Sequence, residues 1–145
     1  IFAANEGLLG FSLYPFHLPN GPACTLDTFC DMVAWTADRM GINRIGLGSD
    51  LCQQQPQQVL EWMRNGKWSK TMDYGEGNSN NAGWPDALSW FHDNRDFPAI
   101  ANALRARGFS DTETDKIMGG NWFDLLTRVA GTEKDQSTIS ATCAA

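Results

Sequence analysis

A strand–helix–strand pattern in the first third of the chain is the feature that most restricts the fold. Leu8–Tyr14 and Ile42–Gly48 are two short apolar segments of strand length. Between them, apolar residues recur at helical spacing from about Thr25, which can cap a helix, to Met40, followed by Gly41. A β-α-β unit of this kind predicts two parallel strands in one sheet, joined by a right-handed crossover.

The remainder of the chain predicts helices and no further paired strands. Pro98 favours a helix that ends at Gly108, Ser110–Glu113 has the pattern of a capping box, and Asn121 is expected to cap a last helix. Because a parallel sheet needs more than two strands with both faces covered, we predict an α/β fold that is part of a larger one. The missing strands are expected on another chain or in a preceding segment.

Composition restricts the partners. Eleven basic against seventeen acidic side chains give a net charge of −6, which disfavours nucleic acid as a ligand. Uninterrupted apolar runs reach only about four residues, whereas a membrane-spanning helix needs about twenty, so no transmembrane segment is expected. The chain begins with Ile1 and without the pattern of a signal peptide, which favours a processed or shortened chain.

A long irregular segment follows the second predicted strand. It extends from Leu51 to about Arg95 and contains four of the six tryptophans, Trp62, Trp68, Trp84 and Trp90. So much aromatic surface predicts a long ordered loop whose tryptophans are buried against the fold or a neighbouring subunit. The domain is predicted to span residues 1–131, with 132–145 as a flexible, small and polar tail.

Few side chains have the spacing of a known catalytic or metal site. The two histidines, His17 and His92, lack metal-ligand spacing and are expected to be surface or hydrogen-bonding residues. The four cysteines, Cys24, Cys30, Cys52 and Cys143, form no C-x-x-C pair and are expected to be free, buried thiols, with disulfides as the alternative.

Asp50 and Tyr14 are the candidate site residues. Asp50 follows the second predicted strand, on the side where α/β barrels place their active sites, although a turn-capping role is the alternative. Tyr14 occupies the equivalent end of the first strand and is the candidate substrate-binding residue, its alternative being an aromatic at a strand edge.

Several segments together resemble the membrane dipeptidase family. They are Gly7–Pro15, Thr25–Asp27, Gly41–Asp50, Asp96–Ile100, Arg107–Ser110 and Ile117–Trp122. The resemblance implies a zinc-dependent peptidase with an amidohydrolase-type (β/α)8 TIM barrel. This chain would supply its C-terminal part, with the last two strands and the closing helices.

The resemblance also implies the chemistry. It makes Asp50 the catalytic residue for proton transfer during hydrolysis of dipeptides or related small amides, assisted by two zinc ions. The zinc ligands of the family lie on earlier strands, and no position here matches them, so the isolated chain is expected to be inactive. Leu51-Cys52-Gln53 and Asp124 depart from the family pattern and favour a divergent bacterial branch. The sequence does not predict the compartment; the bacterial cytoplasm and the periplasm are the candidates.

The expected partners are the substrate, the N-terminal part of the barrel and, in a homodimer, a second copy. A non-catalytic binding module that uses the tryptophan-rich loop is the alternative function. Metal-binding histidines and an H-x-D motif upstream of Ile1 would distinguish the enzyme from the module.

Overall fold

A two-stranded parallel sheet underlies the computed structural model, which describes residues 7–51, 56, 58–59 and 86–131. Strand β1 is Leu9–Ser12 and strand β2 is Ile45–Gly48. Their register pairs Leu9 with Ile45 at one end and Ser12 with Gly48 at the other. The parallel pairing predicted from the sequence is therefore confirmed.

Helix α1, Leu26–Met40, connects the two strands and begins as predicted. The Thr25 hydroxyl accepts a hydrogen bond from the Thr28 N–H at 3.1 Å, and Gly41 ends the helix with a φ of +84°. The second strand starts later than predicted. Residues 42–44 form a 3-10 turn because the Arg44 N–H bonds to the Gly41 carbonyl instead of to a strand neighbour.

The closing helices follow the tryptophan-rich segment. They are α2 (Phe97–Ala106), α3 (Asp111–Asp115) and α4 (Asn121–Ala130), with a wide turn over Lys116–Gly120 between the last two. The predicted capping box is confirmed: the Ser110 N–H donates to Glu113 at 2.9 Å, and the Glu113 N–H donates to the Ser110 hydroxyl at 3.3 Å.

Asn121 does not cap α4, contrary to the prediction. Gly120 occupies the cap position, and Asn121 is the first residue of the helix. The residue is 3% exposed, and its Nδ2 donates to the carbonyl oxygens of Ile42 and Ile45, each at 2.7 Å. These two carbonyls lie where the chain enters β2, so the amide joins the last helix to the start of that strand.

Trp122 covers both strands. A Cβ atom on Gly10 would lie 2.8 Å from the indole ring, and one on Gly46 would lie 2.6 Å from it. The indole Nε1 also donates to the Leu47 carbonyl at 2.9 Å. The two glycines therefore leave the space in which the ring packs on the sheet.

The hydrophobic core lies between α1, the sheet, α2 and the turn around residues 88–91. Its largest fully buried side chains include Phe29, Val33, Ile45, Leu88, Ile100, Leu104 and Ile117. Trp90 is half-buried against this core, where its ring lies 5.3 Å from that of Phe29 and its Nε1 donates to the Cys24 carbonyl at 2.8 Å. Trp62, Trp68 and Trp84, most of the predicted loop and the 132–145 tail lie outside the described residues.

One face of α4 is apolar and exposed. Phe123 is 71% exposed, Leu126 is 62% exposed and Val129 is 76% exposed. Trp122 and Leu125 are half-buried, so α4 packs in part only, and the described part of the chain leaves its outer apolar residues uncovered.

Cys24 and Cys30 are free and buried, as predicted for them, whereas Cys52 and Cys143 lie outside the described residues. Burial raises the pKa of the Cys30 thiol to about 11 and also raises the pKa of Cys24. Of the helices in the described ranges, none is long and apolar enough to span a membrane.

Candidate functional site

The carboxyl ends of the two strands bring Ser12 and Asp50 together. Ser12 is the last residue of β1, and Asp50 comes two residues after β2 ends at Gly48. The Ser12 hydroxyl donates a long hydrogen bond of 3.5 Å to Oδ2 of Asp50. Because the strand register pairs Ser12 with Gly48, this contact follows directly from the parallel sheet.

The backbone at Asp50 has a φ of +51°, in the left-handed region. Aspartate and asparagine adopt this conformation more readily than most residues other than glycine. The side chain is exposed, and its carboxylate reaches the neighbouring strand instead of folding onto its own turn. A ligand at this edge of the sheet would therefore meet the Asp50 carboxylate.

His17 joins the same cluster through Ser12. Residues Pro15–His17 form a 3-10 turn after β1, and this turn places the His17 Nδ1 atom 3.1 Å from the Ser12 hydroxyl oxygen. The imidazole is exposed. The prediction that His17 is a surface or hydrogen-bonding residue is confirmed, but its position beside the Asp50 site was not foreseen.

Sequence reasoning missed Ser12 altogether. Within the apolar segment from Leu8 to Leu13, Ser12 is the single side chain with a hydroxyl, and it stands at the end of the strand where sites form. A polar side chain at the end of an otherwise apolar strand was the signal in the sequence that could have identified Ser12 as a site residue.

Tyr14, the predicted substrate-binding residue, lies beside this cluster. Its backbone N–H donates to the Ser12 hydroxyl at 3.1 Å. Its half-buried ring makes edge contacts with the ring of His17, at a centroid distance of 5.0 Å, and with that of Phe16, at 5.8 Å. The structure thus groups the two candidate residues, Asp50 and Tyr14, around one hydroxyl.

The arrangement can accept and move protons. It combines a carboxylate, an imidazole and a hydroxyl at an exposed edge of the sheet. A carboxylate or an imidazole can act as a general base, and an aromatic ring beside them can contact the apolar part of a small ligand.

The described residues do not fit a zinc centre. In residues 7–51, 56, 58–59 and 86–131, no three histidine, cysteine, aspartate or glutamate side chains gather closely enough to hold a metal ion. The two groups of this type in the Ser12 cluster are Asp50 and His17, and stable zinc sites use three or four protein ligands.

A cavity of about 530 Å³ lies at the opposite end of β2. Its lining includes Asn43, Arg44, Lys116, Asn121 and Arg128, and Lys116 Nζ donates to Asn43 Oδ1 at 2.7 Å. Since Asn43 and Arg44 precede the strand and Asp50 follows it, this cavity is separate from the Ser12 cluster.

Comparisons with known proteins show a similar fold in a solved structure. No protein-family model and no curated protein sequence matches the chain. Among solved structures, the crystal structure of an amidohydrolase from Pseudomonas aeruginosa is similar, with a TM-score of 0.73 and 22% sequence identity. The match covers 86% of this chain but 37% of that chain, so the chain spans little more than a third of that protein. The α/β fold is thus similar to part of an amidohydrolase.

Proposed function

We propose that this chain is the C-terminal part of an amidohydrolase that cleaves the peptide bond of dipeptides or related small amides. The observation that supports it most is the contact between Ser12 and Asp50 at the carboxyl ends of adjacent parallel strands. Substrates of barrel enzymes bind at this edge. The likeness in fold to the amidohydrolase from Pseudomonas aeruginosa and the resemblance to membrane dipeptidases agree with this assignment.

In this proposal Asp50 is the catalytic residue. Its exposed carboxylate accepts a proton from the water that attacks the carbonyl carbon. When the C–N bond breaks, the same carboxyl group returns the proton to the leaving nitrogen, and a carboxylic acid and an amine are formed. Tyr14, whose ring lies at the same edge, would contact the substrate side chain.

The resemblance to membrane dipeptidases implies two zinc ions, which would polarise the scissile carbonyl. Because the described residues do not form a metal site, the zinc ligands in this proposal belong to the N-terminal part of the barrel. The two-stranded sheet and the exposed apolar face of α4 are both compatible with such a neighbour. A second copy of the chain is the other candidate to cover that face.

Hydrolysis assays on the full-length protein test the proposal. We expect release of free amino acids from a panel of dipeptides, loss of that activity after dialysis against a zinc chelator, and its return when zinc is added. The 145-residue chain alone should release none. Binding of these compounds by the full-length protein without turnover would instead favour a non-catalytic module.

A further inference from the structure

We propose that Ser12 is a positioning residue: by donating its own proton to Asp50, it holds the His17 imidazole as the Nδ1–H tautomer and leaves Nε2 as an acceptor for a substrate N–H group. The proposal that His17 Nε2 binds a substrate N–H group rests on the proposed function. The proposed Nδ1–H tautomer of His17 is independent of that function, because it follows from contacts within the chain.

The hydrogen-bonding capacity of a hydroxyl supports this inference. A serine hydroxyl has one proton to donate and two lone pairs that accept. The backbone N–H of Tyr14 can only donate, so its contact at 3.1 Å occupies one lone pair of Ser12. One proton and one lone pair of the hydroxyl then remain for Asp50 and His17.

The Asp50 carboxylate determines which partner takes the Ser12 proton and which faces the remaining lone pair. An ionised carboxylate can only accept, so its contact at 3.5 Å takes the Ser12 proton. The remaining lone pair faces His17 Nδ1 at 3.1 Å, and a bond there requires a proton on Nδ1. In a neutral imidazole with Nδ1–H, the other nitrogen, Nε2, is a free acceptor.

The charge of Asp50 favours this arrangement over its reverse. In the reverse arrangement Ser12 would donate to Nδ1, and the carboxylate would face an oxygen lone pair. A hydrogen bond to an ionised acceptor is stronger than one to a neutral acceptor, even though the present 3.5 Å contact is long. Such contacts commonly shorten when substrate binds.

The edge contact with Tyr14 also restricts the ring of His17, with centroids 5.0 Å apart and an interplanar angle of 66°. With Nδ1 directed at Ser12, Nε2 lies on the opposite side of an exposed imidazole. The chemical group that fits a neutral Nε2 is an amine or amide N–H, which dipeptides supply. His17 would then contribute to substrate affinity more than to the bond-breaking step.

Nitrogen NMR tests the tautomer without any activity assay. The full-length protein carrying ¹⁵N-labelled histidine is examined in alkaline buffer, where imidazole is neutral, and the His17 signals are assigned with His17→Asn. We expect the Nδ1–H pattern in the parent protein, retention in Ser12→Thr, and a change to the commoner Nε2–H tautomer in Ser12→Ala. His92, which contacts Asp96 instead, is the internal control and should not change.

The decisive variant is Asp50→Gly, since Asp50 has no contact with His17 in this network except through Ser12. Glycine accepts the φ of +51° without strain. Loss of the carboxylate frees the Ser12 proton for Nδ1, so the His17 tautomer should change to Nε2–H. An Nε2–H tautomer in the parent protein, or an unchanged tautomer in both Ser12→Ala and Asp50→Gly, would overturn the inference.

Kinetics of the full-length protein then test the role for substrate. Loss of one hydrogen bond predicts that His17→Ala raises KM by about 5–10-fold with little change in kcat. Ser12→Ala should also raise KM. The same substitution should raise KM less when it is made in His17→Ala than when it is made in the parent protein. A fall in kcat at unchanged KM for His17→Ala would contradict this role. Absence of all hydrolysis would count against the proposed function and leave the NMR result to decide the tautomer.

Discussion

The Ser12 hydroxyl and the Asp50 carboxylate lie 3.5 Å apart, although 38 positions separate them in the chain. The contact exists because β1 and β2 are parallel and end at the same edge of the sheet. A shift of one residue in their register would turn Ser12 to the other face and remove it from Asp50. The residues that hold the register therefore also determine the candidate site.

Replacement of Asp50 by asparagine should abolish most of the activity and leave the fold intact. Asparagine tolerates the φ of +51° but cannot accept and return a proton. We expect kcat of the full-length protein to fall by about 10²–10⁴-fold, measured by amino-acid release at saturating dipeptide. The circular dichroism spectrum should not change.

The matched control is Asp38→Asn, which removes an exposed carboxylate near the end of α1 that leads into the start of β2, opposite the carboxyl ends of the strands. Its kcat should equal that of the parent protein. A kcat within about twofold of the parent in Asp50→Asn would mean that Asp50 caps a turn and has no catalytic role.

Alanine at Gly10 or Gly46 should destabilise the fold. The added Cβ would lie 2.8 Å or 2.6 Å from the Trp122 indole, closer than packed atoms approach. Overpacking of this kind costs about 1–3 kcal/mol, which urea unfolding can measure. Gly48→Ala is the control in the same strand, since its Cβ would meet nothing nearer than 3.7 Å. Equal stability losses in all three variants would contradict the proposed packing of Trp122.

The Asn121 amide should be essential for stability, in contrast to the exposed Asn43. Asn121→Asp places a buried carboxylate oxygen against the Ile42 and Ile45 carbonyls, so the unfolding free energy should drop by about 3 kcal/mol or more. Asn43 accepts a hydrogen bond from Lys116, so Asn43→Asp creates an exposed ion pair. Its effect should lie within about 1 kcal/mol of zero. Similar losses of unfolding free energy in Asn121→Asp and Asn43→Asp would contradict the structural role of the Asn121 amide.

The buried thiol of Cys30 should react slowly in the folded protein. Its pKa of about 11, against an ordinary value of 9.0, leaves about 100-fold less thiolate at neutral pH. Iodoacetamide labelling followed by mass spectrometry should therefore show Cys30 alkylated at least that much more slowly in native buffer than in concentrated urea. Equal rates in the two solvents would show that the thiol is accessible.

Acid should weaken the fold through the turn that precedes α2. Hydrogen bonds from the Arg95 side chain lower the pKa of Asp93 from 3.8 to about 2, and backbone N–H groups of His92 and Asp93 lower that of Asp96. A carboxyl group with a lowered folded pKa stabilises the fold above its unfolded value, and this contribution disappears as the pH falls through the folded value.

The unfolding free energy should accordingly decrease between about pH 4 and pH 2. The decrease should be smaller in Asp93→Asn than in the parent protein, because asparagine does not titrate. If the unfolding free energy of Asp93→Asn depends on pH in the same way as that of the parent protein, Asp93 is not a source of the acid sensitivity.

The sequence predicted those parts of the fold that local patterns determine. Thr25, Gly41 and the Ser110–Glu113 capping box act within a few residues of themselves, so their roles could be read without coordinates. The parallel pairing followed from two apolar segments with a helix between them.

Contacts between residues distant in the chain were harder to predict from the sequence. Asn121 is the first residue of α4, next to the position that capping residues occupy, but its partners are the carbonyls of Ile42 and Ile45, more than seventy positions earlier. Asp50 was predicted because it follows a strand, whereas Ser12 and His17 join it through the strand register and the turn after β1. Neither the register nor that turn is visible in a hydrophobic pattern.

The position of Trp122 on the sheet has a consequence for biosynthesis. Its indole is bonded to the Leu47 carbonyl, 75 positions earlier in the chain, and fills the space over Gly10 and Gly46. A ribosome adds about 5–20 residues per second, so about 4–15 s pass between the synthesis of β2 and that of its cover. During this interval the strand face over Gly10 and Gly46 lacks the ring that covers it in the folded chain, so we expect chaperones to bind the nascent chain at this stage.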